Sequence, residues 1–392
     1  MERRPEIRLT HVYFSMFPSA YSLGPSVTVE RLASRLSQRI GNGSIQILTL
    51  NYDEGIRRRL FDAAERTDVS GNLSIKYLPR GIRKYFQLFK ILRAPHGTLV
   101  IHCLFDYRLA LPAMMIERFL FRSKRKIFHF PHGIFLDAVF SQKRLKKVAL
   151  CGLLDLVGIS NFIVHVASSF QEAEDIRRAF RTPQEIVVRP HFGQLPDAVA
   201  HAQLAPKKSG EVRICFAGRV ARQKNLLEGI EILSAVRVPC EYDIYGVVED
   251  RTYYEECLAK IAELPKHVTV RFLGLIPPHE LKARLPSYHL FFFPTLGENF
   301  GHAILDALAC GVPALISDRT PWNDLEKFGA GWAFKLDNHQ KFVEIIEKVY
   351  WAGSEYSREG AIAYATAAAN PPGLEEAFLK LFNLSGERET TV

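Results

Sequence analysis

Arg219 and Lys224 stand five residues apart behind an apolar run, with Gly218 before them and Asn225 after them. A glycine at the end of a strand lets the backbone turn. Two cations at this spacing can both reach one phosphate group, where the N–H groups that open a following helix already favour an anion. The chemistry this suits is recognition of a diphosphate without a metal, although a surface loop with solvated cations would carry the same residues. The pattern is not the GxxxxGK[ST] phosphate loop. Further along, Glu298 lies between Gly297 and Gly301, and its carboxylate can accept hydrogen bonds from hydroxyl groups. Asn299, Phe300, Gly301, His302 and Ala303 lead into a helix expected over 302–310, which Gly311 ends ahead of Pro313. Asp306 shares a face of that helix with His302 at i, i+4 spacing. The structural alternative is that Glu298 only complements the helix dipole and Asp306 only solvates an exposed face.

The elements that must hold these residues are legible as apolar runs alternating with helical periods. Residues 8–14, 44–50, 73–79, 98–105, 126–130, 162–168 and 185–190 read as buried parallel strands, with helical segments between them. A second series, 212–218, 241–246, 267–274, 289–295 and 313–317, repeats the arrangement. The fold class is α/β, with two doubly wound domains expected at 1–200 and 201–370 and a C-terminal helix and tail at 371–392 packing back toward the first. The polar stretch 193–210 is the expected linker. Ligands of open parallel sheets bind beyond the carboxyl ends of the strands, and each motif above follows a strand.

At 392 residues the chain is long enough for two domains that each bury a core. Its net charge of +9 is unevenly divided: residues 1–200 hold 30 Lys and Arg against 17 Asp and Glu, and the remainder is slightly acidic. The first half therefore suits an anionic partner. Clusters at 122–126 and 142–147 add to this, and residues 80–93 place Tyr85, Leu88, Phe89 and Leu92 on one stripe that could lie in a lipid interface. Ordinary amphipathic helices would look the same. No nucleic-acid motif surrounds the basic clusters, so nucleic acid is not expected as a partner. Cys103, Cys151, Cys215, Cys240, Cys257 and Cys310 are scattered singly without metal-ligand spacing and read as reduced core residues. No signal-peptide pattern or run of 18 apolar residues occurs, which points to the cytoplasm.

Gly218-Arg219 with Lys224-Asn225, Gly246 and Gly274 after strands, and GENFGHAILDALACGVPALISDRTPWNDL together resemble glycosyltransferase family 4, the retaining GT-B enzymes. The match covers residues 211–335 well and the first half loosely, through His132-Gly133 and Ser168 with Glu172. The 317–322 stretch resembles members that build bacterial surface polysaccharides. The resemblance implies a GT-B fold of two Rossmann-like domains facing a central cleft. It implies a nucleotide-sugar donor, a glycan or lipid-linked acceptor, and no metal or other cofactor. An anionic membrane surface, at the cytoplasmic face of the inner membrane, is the further expected partner.

Carried over residue by residue, Arg219 and Lys224 would neutralise the leaving diphosphate and Glu298 would bind donor-sugar hydroxyls. Backbone N–H groups from Phe300 to Ala303 would hold sugar and phosphate oxygens, and His132 would contact the transferred sugar. Asp306 stands where the family has a second Glu that contacts ribose, and Gly24 stands alone where the family has a glycine pair. The alternatives are a non-catalytic GT-B scaffold and a GT-B sugar-nucleotide epimerase. A phosphorylase would need a pyridoxal-phosphate lysine, and a dehydrogenase a GxGxxG after the first strand; neither is found.

Overall fold

The computed structural model describes residues 6–13, 24–40, 43–50, 72–79, 81–94, 97–123, 125–193, 212–352 and 358–384, with short pieces at 52–53, 58–59, 65–67, 195 and 210. Most of the expected linker at 193–210 lies outside them. The chain divides into two compact units, Met1–Phe192 with Pro372–Val392, and Gly193–Pro371. The sequence reading put the division at 200/201 and 370/371.

The first unit carries β1 (Glu6–Val12), α1 (Gly24–Arg39), β2 (Gly43–Leu50), a ribbon of β3 (Tyr52–Asp53) and β4 (Arg58–Arg59), β5 (Glu65–Thr67) and β6 (Leu73–Leu78). It continues with α2 (Arg83–Arg93), β7 (Thr98–His102), α3 (Ala110–Met115), β8 (Ile127–Phe130), α4 (Asp137–Phe140), α5 (Arg144–Leu156), β9 (Ile163–Ala167), α6 (Phe170–Ala179) and β10 (Glu185–Val188). The sheet order is β10-β9-β8-β7-β1-β2-β6-β5, parallel except for the edge strand β5. Strand order reverses at β1 and β7. The apolar runs are continuous because both faces are covered: Leu9, Ile45 and Val100 pack on one side, Leu48, Leu99 and Ile101 on the other.

The stripe on α2 joins this core in part. Leu88 and Leu92 are buried and Phe89 is half-buried, whereas Tyr85 is exposed together with Ile82 and Phe86, so the surface offered to a lipid interface keeps only one residue of the stripe read from the sequence. At the other end of the chain, Gly373 in a left-handed conformation opens α13 (Leu374–Leu381). Leu374, Phe378 and Leu379 then join the same core cluster as Leu9 and Val29.

The second unit holds β11 (Val212–Ala217), α7 (Leu226–Ser234), β12 (Cys240–Tyr245), α8 (Arg251–Ile261), β13 (Val268–Gly274) and α9 (Pro278–Arg284). After these come β14 (Leu290–Phe293), α10 (His302–Ala309), β15 (Ala314–Ser317), β16 (Gly331–Phe334), α11 (His339–Ala352) and α12 (Arg358–Ala369). Its six-stranded sheet runs β13-β12-β11-β14-β15-β16, all parallel. Here the order reverses between β11 and β14, and the loops that leave those two strands carry the cationic and Glu298 motifs. Among the described residues no helix is long and apolar enough to cross a membrane.

Candidate donor site

Three strands of the second unit run out into glycine, at Gly218, Gly246 and Gly274. The Gly218 N–H donates to the Tyr245 carbonyl and the Gly246 N–H to the Gly274 carbonyl, each at 2.9 Å, so the strand ends stay joined past the regular sheet. Gly246 has φ +150°, and a Cβ there would lie 1.8 Å from the Gly218 carbonyl oxygen. Only glycine fits.

Beyond Gly218 the chain makes a single 3-10 turn, Arg222–Lys224, and Asn225 turns left-handed (φ 55°) before α7 begins. That reversal brings Lys224 to Glu298: its ammonium donates to Oε1 of the carboxylate, and both side chains are nearly nine-tenths buried, at 13% and 12% exposure. Thr295 Oγ1 lies 3.2 Å from the same Oε1. The two loops are stitched together by Gln223, whose carbonyl accepts from Leu296 N–H at 2.9 Å and whose Nε2 donates to the Gly297 carbonyl at 3.1 Å. Phe293 lies under the ammonium, 5.3 Å from Nζ to ring centroid. Arg219 is held differently. Its guanidinium pairs with Glu249, and both remain substantially exposed.

Gly301, left-handed at φ 79°, is the N-cap residue of α10, and no side chain caps this end. Trp322 fixes the approach by donating its indole N–H to the Phe300 carbonyl, while the Glu298 N–H donates to the Arg319 carbonyl at 3.0 Å. The His302 and Phe300 rings sit 4.7 Å apart. Asn299, His302 and Ala303 are half-buried around the helix start. Asp306 pairs with Lys282 of α9 at 3.3 Å, each side chain 20% exposed.

Gly24 and His132 belong to the first unit. Gly24 opens α1 and is exposed. His132 follows β8, is half-buried, and adopts φ 55°, an unusual backbone for a non-glycine residue. The next residue is tied down by a buried acid: Glu172 Oε1 accepts the Gly133 N–H at 2.7 Å, and Oε2 accepts the Ser168 N–H at 2.8 Å and hydroxyl at 3.1 Å. Burial outweighs these bonds and pushes the Glu172 carboxyl up to about 7. Among the described residues no group of three or more His, Cys, Asp or Glu is arranged to hold a metal ion.

Residues 200–366 match the family model for glycosyl transferases, group 1. The second unit is a group 1 glycosyl transferase domain. The family of this domain is the one the sequence resemblance implies. The GT-B fold is met as well: the whole chain superposes on a sucrose-phosphate synthase from Thermosynechococcus elongatus with a TM-score of 0.71 at 16% identity, covering 96% of this chain and 98% of that one. HepE from Anabaena, solved in complex with UDP and glucose, superposes with a TM-score of 0.68 at 15% identity, covering 96% and 99%. The O-antigen chain mannosyltransferase B of Escherichia coli is 37% identical over 51 residues, a stretch that spans 13% of each chain.

Within the glycosyltransferase domain the structure brings Lys224, Asn225, Glu298, Asn299, Phe300, Gly301, His302 and Ala303 together across the switch point of the sheet. Gly218, Gly246 and Gly274 form the neighbouring strand ends. Arg219 and Asp306 meet partners that sequence reading missed, Glu249 and Lys282. Neither partner carries a local signal. Gln223 and Thr295, which join the two loops, were missed too, although their places beside Lys224 and just after a strand could have suggested them.

Proposed function

We propose that this glycosyltransferase moves a sugar from a nucleotide-diphosphate-sugar donor to a glycan or lipid-linked glycan acceptor, with retention and without a metal, in synthesis of a surface polysaccharide or lipopolysaccharide. The Lys224–Glu298 pair at the switch point of the sheet carries this reading. A departing nucleoside diphosphate develops negative charge on its phosphate oxygens. A cation already fixed there, with the start of α10 beside it, lowers the barrier without reorganising. Glu298 holds the Lys224 ammonium in place and offers its second oxygen to sugar hydroxyls. Arg219 supplies the second positive charge, exchanging Glu249 for phosphate, and Gly218, Gly246 and Gly274 let backbone approach the diphosphate. Asp306 takes the ribose hydroxyls, and Gly24 and His132 are the first unit's contributions. The leaving phosphate helps deprotonate the acceptor on the same face.

The UDP and glucose bound to HepE and the O-antigen role of the mannosyltransferase support the donor and acceptor classes. Membrane attachment rests on the first unit's basic excess and on exposed Ile82 and Phe86, beside Arg83 and Lys84, and exposed Leu145, between Arg144 and Lys146. Each basic residue near an anionic leaflet contributes about 1 kcal/mol. The protein would then work at the cytoplasmic face of the inner membrane.

Melting the protein against a panel of nucleotide sugars tests the reading, because a donor at 100 times its Kd adds ~2.7 kcal/mol. With the donor so found, Arg219→Ala and Lys224→Gln should each lower kcat by roughly 100- to 1,000-fold while the fold is kept. Wild-type turnover in both variants would remove these cations from the mechanism.

A further inference from the structure

The first unit holds two lines of hydrogen-bonded histidines, of which the transfer mechanism uses His132 alone. In one, the Leu104 N–H donates to His129 Nε2 at 3.0 Å, which makes that nitrogen an acceptor. A neutral His129 then carries its proton on Nδ1 and donates it to His165 Nδ1 at 2.9 Å. His165 is left protonated on Nε2, which lies 3.3 Å from Gln184 Oε1. A backbone N–H cannot reverse, so it sets every tautomer in this line.

The second line starts at the switch point of the sheet. His11 on β1 places Nδ1 2.9 Å from Nε2 of His102, the last residue of β7. His102 in turn places Nδ1 2.8 Å from His132 Nε2. Two directions are open to the protons, and the far end decides between them. His11 Nε2 is buried with no hydrogen-bond partner among the described residues. A buried N–H left unbonded is rarer than a bare acceptor, so the His11 proton belongs on Nδ1, where it has a partner. His102 and His132 must then also be protonated on Nδ1. Burial holds His11 near a pKa of about 3 and keeps His102 and His132 well below 6.5. The groups facing His132 and His102 are the buried His129 and His191, with Glu172 on the adjoining Gly133 N–H and Arg31 toward His191. No imidazolium therefore interrupts the line at neutral pH.

The line ends at the surface of the unit. His132 is half-buried, and its Nδ1 makes no hydrogen bond among the described residues. We propose that His11 and His102 are positioning residues: they hold His132 as its Nδ1–H tautomer, which offers that N–H to a hydroxyl of the transferred sugar, while Glu172 fixes the turn that carries it. The sugar as acceptor of this bond rests on the transfer reading. The tautomer does not.

Two-bond ¹H–¹⁵N spectra of histidine-labelled protein at pH 7 read the tautomer directly. The expected pattern for His132 is a protonated Nδ1 and a bare Nε2, and a His132 protonated on Nε2 in the wild type overturns the proposal. His11→Leu should move His132 toward mixed tautomers and lower kcat about tenfold, with donor KM within twofold. His11→Gln, whose amide can still donate to His102 Nε2, should restore both readouts. Full transfer by His132→Gln, alongside loss in Lys224→Gln, would overturn the role of His132 and leave the transfer reading standing. A wild type that turns over no nucleotide sugar but keeps the Nδ1–H spectrum would instead overturn the sugar as the group addressed.

Discussion

Asp306 is the residue whose chemistry changes most between sequence and structure. By type it is a carboxylate one carbon shorter than the family resemblance leads one to expect, and nothing nearby in the sequence explains how the shortening is tolerated. In the fold, Lys282 sits 3.3 Å away, so the carboxylate is neutralised and oriented from α9. A glutamate would reach farther into the same space while keeping that cation within range. Asp306→Glu is therefore expected to leave nucleoside diphosphate binding unchanged or to tighten it up to tenfold, about 1.4 kcal/mol. Isothermal titration with the diphosphate identified by the melting panel measures it, and a tenfold loss would show that Asp306 does not face ribose. Residue types were thus readable without the structure, because phosphate, hydroxyl and dipole chemistry restrict them. Partners were not, since Lys282, Glu249 and Glu172 come near their targets only through packing.

At the scale of elements, the strand ends and the loops that leave them do the positioning. The continuous apolar runs located the strands because a parallel sheet covered on both faces needs no alternation. Periodicity did less well for helices. The apolar stripe of α2 suits a membrane and a core equally, and burial of Leu88 and Leu92 assigns that part of it to the core while Tyr85 stays exposed. The 3-10 turn at Arg222–Lys224 and the left-handed Asn225 had no such signal, although they are what swings Lys224 onto Glu298. Gly246 and Gly274 both follow strands, and their roles differ. A methyl at Gly246 would collide with the Gly218 carbonyl, whereas a methyl at Gly274 meets nothing within 4 Å. Gly246→Ala should cost ~3 kcal/mol or more through overpacking and strain. Gly274→Ala should cost only the left-handed backbone term, about 1–2 kcal/mol. Urea unfolding of the two variants tests the difference, and equal midpoints would mean that the strand ends can part without loss.

Taken whole, the molecule divides its chemistry between units: the second is slightly acidic with paired cations at its switch point, and the first is basic with a histidine-rich core. Sequence counting found the charge division. It could not find the histidine lines, because His11, His102, His129 and His165 are far apart in the chain and meet only through the order of strands β1, β7, β8 and β9. Their burial makes the first unit acid-sensitive. Desolvation lowers His11 to about 3, His165 and His191 to about 4, and His102, His129 and His132 well below 6.5. As pH falls through 6.5 the unfolded chain takes up protons that the folded unit refuses, so stability is full above 6.5 and is lost below it. Each histidine contributes up to about 1.4 kcal/mol per pH unit. Glu172, raised by burial from 4.5 to about 7, acts in the opposite sense, because the unfolded chain ionises first as pH rises through 4.5. Asp106 and Asp175, also raised by burial, act in the same sense as Glu172, and three carboxyls do not offset six imidazoles. Calorimetry between pH 7.5 and 5 should show the first unit's transition falling steeply, and His165→Gln, which removes one suppressed imidazole, should lessen the slope. A transition that moves equally in both variants would mean that these histidines are already solvated in the folded unit, and the directed tautomers argued for His132 would lose their basis.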